Sequence, residues 1–202
     1  MFKASILLLV LLIMAGCEKS SSDQPDPGNP NCTYSSSFTD PRDSKVYPTI
    51  VIGTQTWMAE NLDYEVAGSW CNNCDAYGRL YDWQTALTVA PPGWHLPSVE
   101  EWEVLITTLG GYEVTGGKIK SMSGWKDPNS EATNLSCFTA LPGAYRANDG
   151  SLIGVGENTA FWSTLEGGAE VSNAFVLGHL YGKIQKTNFS KAWGLSVRCI
   201  KN

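Results

Sequence analysis

The chain has 202 residues, with 20 acidic against 14 basic side chains, a net charge of −6 and 17% charged residues. That balance excludes partners that need clustered Lys/Arg, namely nucleic acid and polybasic contact with a membrane surface. A chain of this size buries roughly 70% of its unfolded surface and needs no metal to fold. Eighteen of its glycines and all eight tryptophans lie after residue 50, which describes a turn-rich domain with large aromatic anchors.

The chain opens on one positive charge, Lys3, followed by an apolar run from Ile6 to Met14 and then Ala15, Gly16 and Cys17. The run is too short for a hydrocarbon core about 30 Å thick, which takes ~20 residues, and reads as a secretory signal. A cysteine directly after small residues resembles a bacterial lipobox. The resemblance implies that residues 1–16 are removed and that Cys17 becomes a lipidated N-terminus. The alternative is an ordinary cleaved signal whose next residue happens to be cysteine. Lys3 leaves with the leader and no acid does, so the mature charge becomes −7. No second stretch approaches spanning length, so the lipid is the expected membrane attachment, in a bacterial cell envelope such as the outer membrane, with either face open. Residues 17–37 form the lipidated terminus and a linker. Glu18 to Asn31 is Ser/Pro-rich without an apolar side chain, so burial cannot offset its ordering entropy.

A single domain is expected over 38–202. Lys45 to Ile52 and Gln55 to Ala59 read as strands around a hairpin turn at Gly53-Thr54. Asp82 can cap a short helix from Trp83 to Thr88, which Pro91-Pro92-Gly93 stops. Ser98-Val99-Glu100-Glu101 is a capping box, after which Trp102, Leu105, Ile106 and Leu109 recur on one face of a helix that Gly110 ends. Gly-rich turns then separate strand-like segments at Phe138–Leu141, Ser151–Ile153, Ala160–Thr164, Ala174–Leu180, Lys183–Thr187 and Leu195–Ile200. Short strands, two helices and a β-rich second half predict an α+β fold with mostly antiparallel pairing.

With Cys17 lipidated, five cysteines remain, an odd number for an exported chain. Cys71-Asn72-Asn73-Cys74 has redox or metal-ligand spacing, but no thioredoxin-like βαβ setting and no second Cys/His pair accompany it. A local disulfide pinning a surface loop is expected. Cys137 and Cys199 flank strands and can form a second bridge, leaving Cys32 over, free or with a partner assigned elsewhere.

No catalytic set, metal set or cofactor motif emerges. His95 reads as structural, and Glu100, Glu101 and Glu103 are accounted for by the capping box and a solvated helix face. Asp127-Pro128-Asn129-Ser130-Glu131 reads as a polar loop, since an EF-hand loop would also need its glycine and distal glutamate. Three glycosylation sequons, at Asn31, Asn134 and Asn188, read as chance matches. Trp102 and Trp162 fall in patterned elements and belong to the core. Trp70, Trp125, Tyr145 and Trp193 fall beside Gly, Asn or Ser, where a flat ring can stack on a sugar or a partner; these are the candidate ligand-binding residues.

Several segments carry a resemblance in their order: Phe38-Thr39-Asp40-Pro41-Arg42-Asp43, Ile52-Gly53-Thr54-Gln55-Thr56-Trp57-Met58-Ala59-Glu60-Asn61-Leu62, Tyr77-Gly78-Arg79-Leu80-Tyr81-Asp82-Trp83, Pro92-Gly93-Trp94-His95-Leu96-Pro97-Ser98, Ala140-Leu141-Pro142-Gly143-Ala144-Tyr145-Arg146, Phe161-Trp162-Ser163-Thr164 and Gly194-Leu195-Ser196-Val197-Arg198-Cys199. Together they resemble the Fibrobacter succinogenes major paralogous domain family of exported bacterial proteins and lipoproteins. The arrangement is also similar to the C-type-lectin-like and formylglycine-generating-enzyme superfamily, which implies a compact α+β domain of short antiparallel strands, two helices and long loops. The reactive cysteine pair of those enzymes and the calcium motifs of those lectins have no counterpart here. The leading expectation is therefore a non-catalytic envelope module binding a polysaccharide, peptide or matrix partner. The alternatives are an assembly component contacting other envelope proteins and an enzyme using Cys137 or a carboxylate pair.

Overall fold

The computed structural model describes residues 32–202. Its first strands form in runs of β-branched and aromatic residues: β1 (Ser36–Thr39) pairs antiparallel with β2 (Val46–Ile52), which turns at Gly53-Thr54 into β3 (Gln55–Met58) with Ile52 opposite Gln55. β4 (Ser69–Cys71), the single turn α1 (Cys74–Tyr77), β5 (Arg79–Tyr81), α2 (Trp83–Ala86) and β6 (Trp94–His95) follow. Asp82 starts α2 by accepting from the Thr85 backbone N–H at 2.7 Å. In α3 (Val99–Thr108) the capping box closes in both directions: Glu101 N–H donates to Ser98 Oγ at 3.2 Å, and Ser98 N–H donates to Glu101 Oε2 at 2.8 Å. Then come α4 (Tyr112–Ile119), β7 (Tyr145–Arg146), β8 (Leu152–Ile153), β9 (Asn158–Glu166), β10 (Val171–Gly178), β11 (Gln185–Ser190), β12 (Leu195–Ser196) and β13 (Ile200–Lys201).

The strands form a five-stranded sheet in the order β1-β2-β3-β13-β6, a six-stranded sheet in the order β11-β10-β9-β12-β5-β4 and the β7-β8 ribbon. Pairing is antiparallel apart from β12 beside β9. The fold is α+β. Successive strand residues point to opposite faces, and here both faces are buried. Phe161, Phe175, Leu177, Ile50 and Trp57 enter one core with Trp102, Leu105 and Ile106 of α3. Ala160, Trp162, Ala174, Val176 and Met58 enter a second core with Tyr47, Tyr81, Trp83 and Cys199. Trp102 centres the first, with ring centroids 4.9 Å from Phe175 and 5.0 Å from Trp57. Fully burying such a ring contributes roughly 2–3 kcal/mol or more.

Several expectations are corrected. The expected Cys137–Cys199 bridge is absent, because Cys137 pairs with Cys32 across a Cα–Cα distance of 5.3 Å, while Cys199 is a free, buried thiol. The chain is extended around Arg198, so neighbouring side chains point to opposite sides. Arg198 reaches the Phe138 carbonyl, and Cys199 is turned into the second core, away from Cys137. Cys32 is therefore not a leftover. It is buried and stapled, and with β1 starting at Ser36 the folded unit begins before residue 38. Phe138–Leu141 forms no strand, because Cys137 and Thr139 sit at φ 59° and 55°, incompatible with a pleat. Leu195–Ile200 splits into β12 and β13, which belong to different sheets. Cys71 and Cys74 form the expected local disulfide. Cys17, the leader and the linker through residue 31 lie outside the described residues.

Candidate functional site

Two of the four aromatics anticipated as ligand platforms come together. β7 joins the six-stranded sheet region through an antiparallel bridge in which Arg146 N–H donates to Gly194 O at 2.9 Å and Gly194 N–H donates to Arg146 O at 2.8 Å. That bridge places Tyr145 diagonally across from Trp193, and their rings stack with centroids 5.9 Å apart and planes 20° from parallel. Phe189, from β11, closes the group edge-on to Tyr145 at 5.1 Å and tilted to Trp193 at 5.6 Å. All three rings are half-buried, so each presents part of its surface to solvent. Burial raises the Tyr145 phenol above its ordinary pKa, and Tyr181 adds to the effect, so it stays neutral and able to donate.

Trp70 lies on the opposite side of the same bridge. It belongs to β4, not to a loop, and its ring fills the space left by Gly194, where an added Cβ would come within 2.9 Å of Trp70 Cε3. The Arg146 guanidinium lies over that ring at 4.3 Å from its centroid. A side chain at 194 would push Trp70 out of this seat. Glycine there is a packing requirement.

Trp125 is corrected from ligand candidate to core residue. It is 8% exposed, its indole N–H donates to Ala140 O at 3.0 Å, and the Lys120 ammonium sits 5.4 Å from its ring centre. Lys120 is itself fully buried and donates to the carbonyls of Ser130, Gly178 and Tyr181 at 2.9–3.1 Å. Burial lowers its pKa to about 8, and these three acceptors saturate the ammonium. Among these four aromatics, only packing partners distinguish a surface ring from a buried one, and those partners are distant in sequence.

Phe189 and Arg146 complete the site and were not among the anticipated residues. Extending the Lys183–Thr187 strand by one alternation would have found Phe189. His95 has the expected structural role, bridging Asn202 Oδ1 at 2.7 Å and Glu101 Oε1 at 2.8 Å. The Cys137 sulfur is committed to its disulfide, and burial pushes the Cys199 thiol up to about 12, which leaves it un-ionised. Among the described residues, no group of three His, Cys, Asp or Glu is placed to hold a metal ion, and no helix is long and apolar enough to cross a membrane.

A profile of the Fibrobacter succinogenes major domain matches residues 50–201. The chain belongs to that family. The match takes in the end of β2, all of β3, α3, the aromatic cluster and the strands β12 and β13, so every element that builds the site lies inside the family domain. Cys32 and β1 precede the matched span, and in this member they are joined to it by the Cys32–Cys137 bridge. No curated protein and no solved structure matches the chain.

Proposed function

We propose that this family member is a non-catalytic, lipid-anchored module of a bacterial cell envelope that holds a polysaccharide on the Tyr145–Phe189–Trp193 face. The observation that carries this reading is the half-exposed aromatic trio itself. Stacked flat rings offer an apolar platform to the C–H face of a sugar, while the Tyr145 hydroxyl is available to its oxygens. The Arg146–Trp70 stack behind the bridge fixes the platform's backbone.

The scaffold is proposed to be the C-type-lectin-like one. Curled antiparallel sheets, short helices and long loops over buried sheet faces support that assignment. The anchor is proposed from the leader pattern and Cys17. Metabolic labelling with a fatty acid tests it: the wild-type chain takes up label and stays with the membrane, and Cys17→Ser does neither. Label retained by Cys17→Ser would remove the anchor from the account. For the ligand, the full chain is passed over an array of envelope and plant-type glycans and unrelated peptides. Retention on a glycan class is expected; background signal on every glycan contradicts the reading.

A further inference from the structure

A second site lies apart from the aromatic face. A cavity of about 180 Å³ opens between the β3 exit, the Cys71–Cys74 turn and the 121–123 loop, lined in part by Arg198, Asn61, Glu60, Asp75, Ser121 and Ser123. An engineered cavity near 150 Å³ accepts benzene, so this volume takes a group about the size of a six-membered ring.

Its charges are arranged by depth. Arg198 is 1% exposed at the inner end. Its Nε and one Nη2 N–H donate to Asn61 Oδ1 at 3.0 and 2.7 Å, and Nη1 donates to Met58 O at 3.2 Å and Phe138 O at 2.5 Å. All these acceptors are neutral. One Nη2 N–H is left over from the five that a guanidinium carries, and Arg198 makes no ion pair among the described residues. The Phe138 ring faces the guanidinium at 4.2 Å and Glu60 acts on it from a distance, but without a bonded carboxylate a buried cation is costly, and burial pulls its pKa down to about 9, still charged at neutral pH.

The outer end has the opposite sign. Glu60 and Asp75 are exposed at the rim, and among the described residues neither carboxylate is in an ion pair. The wall around Glu60 desolvates its carboxyl enough to raise its pKa, against the pull of Arg198 and Lys45. Lys45, also on the rim, is taken by Asp63 at 2.5 Å. The cavity therefore presents a cation inside with no carboxylate bonded to it and carboxylates outside with no cation bonded to them; Glu60 and Arg198 act on one another only across space.

We propose that this cavity binds a small zwitterion of the α-amino acid class, with its carboxylate inward on Arg198 and its ammonium at the rim between Glu60 and Asp75. A carboxylate supplies the acceptor that the spare Arg198 N–H lacks and neutralises the buried charge. The ammonium answers the rim, which repels a simple anion. Ser121 and Ser123 add hydroxyls to the wall, and the Cys71–Cys74 disulfide holds the segment that carries Asp75.

Calorimetric titration of the full chain with glycine and alanine, against acetate and methylammonium, tests this. Glycine or alanine should bind at least tenfold tighter than either half-ligand. Glu60→Gln, a rim change, should weaken the amino acid at least tenfold while leaving acetate unchanged or tighter. Ser123→Phe, which fills the cavity without touching the Arg198 hydrogen bonds, should abolish binding at unchanged melting temperature. Trp193→Ala should leave the titration as it is, which separates this site from the aromatic face. No binding by either amino acid, acetate binding as tightly as glycine, or indifference to Glu60→Gln would each overturn the proposal.

Discussion

Asp40 shows how a single buried charge is made tolerable. It is fully buried, and Arg42 holds it with Nε at 2.9 Å, Nη2 at 2.6 Å and its own backbone N–H at 3.0 Å. Arg42 is itself fixed by the Val89 carbonyl at 2.8 Å and by the Tyr64 ring at 3.8 Å. Burial pushes the Asp40 carboxyl upward, but the Arg42 hydrogen bonds and charge outweigh it and hold the pKa below the ordinary value. A lowered folded pKa contributes stability that is present above the unfolded value of about 3.9 and is lost as pH falls through the folded one. Arg42→Ala removes the guanidinium and leaves only the backbone N–H of residue 42 to oppose burial. It should cost about 3 kcal/mol at pH 7 and move acid unfolding to higher pH. Urea melts at pH 7 and pH 4 check both; an unchanged acid midpoint would show that the pair does not set it.

At the scale of elements, α4 depends on two glycines that argue against a helix in the sequence. Gly116 and Gly117 occupy its centre, where each costs about 1 kcal/mol relative to alanine. They are there because the helix lies directly on neighbouring backbone: an added Cβ at Gly116 would sit 2.6 Å from the Gly182 carbonyl oxygen. Gly116→Ala should therefore destabilise the domain by roughly 2–3 kcal/mol instead of stabilising it, measurable as a lowered denaturation midpoint. A raised midpoint would mean that the contact yields. The same contrast explains what the sequence disclosed. α3 was legible to within a residue or two because the capping box and the Trp102–Leu105–Ile106 stripe are local signals. α4, the split of β12 from β13 and the Cys32–Cys137 pairing were not, since each is decided by a partner far along the chain. That bridge spans a sequence separation of 105 and contributes about 4.7 kcal/mol in the loop-entropy account.

At the scale of the whole molecule, the central strands of both sheets are buried on both faces, and the loops and sheet ends carry the chemistry. The aromatic face was half legible: Tyr145 and Trp193 stood out in or near glycine-containing turns, whereas Trp125 stood out equally and proved to be core. Phe189 became visible through the β10–β11 register, which sets it opposite Ser172. The account stands most directly on whether that face binds saccharide. Tryptophan fluorescence of the full chain, titrated with the glycan class retained on the array, measures it. The wild-type chain should show saturable change, and Trp193→Ala should weaken binding at least tenfold, about 1.4 kcal/mol, with an unchanged melting temperature. Equal affinity in Trp193→Ala, or no saturable change in the wild-type chain, would contradict it.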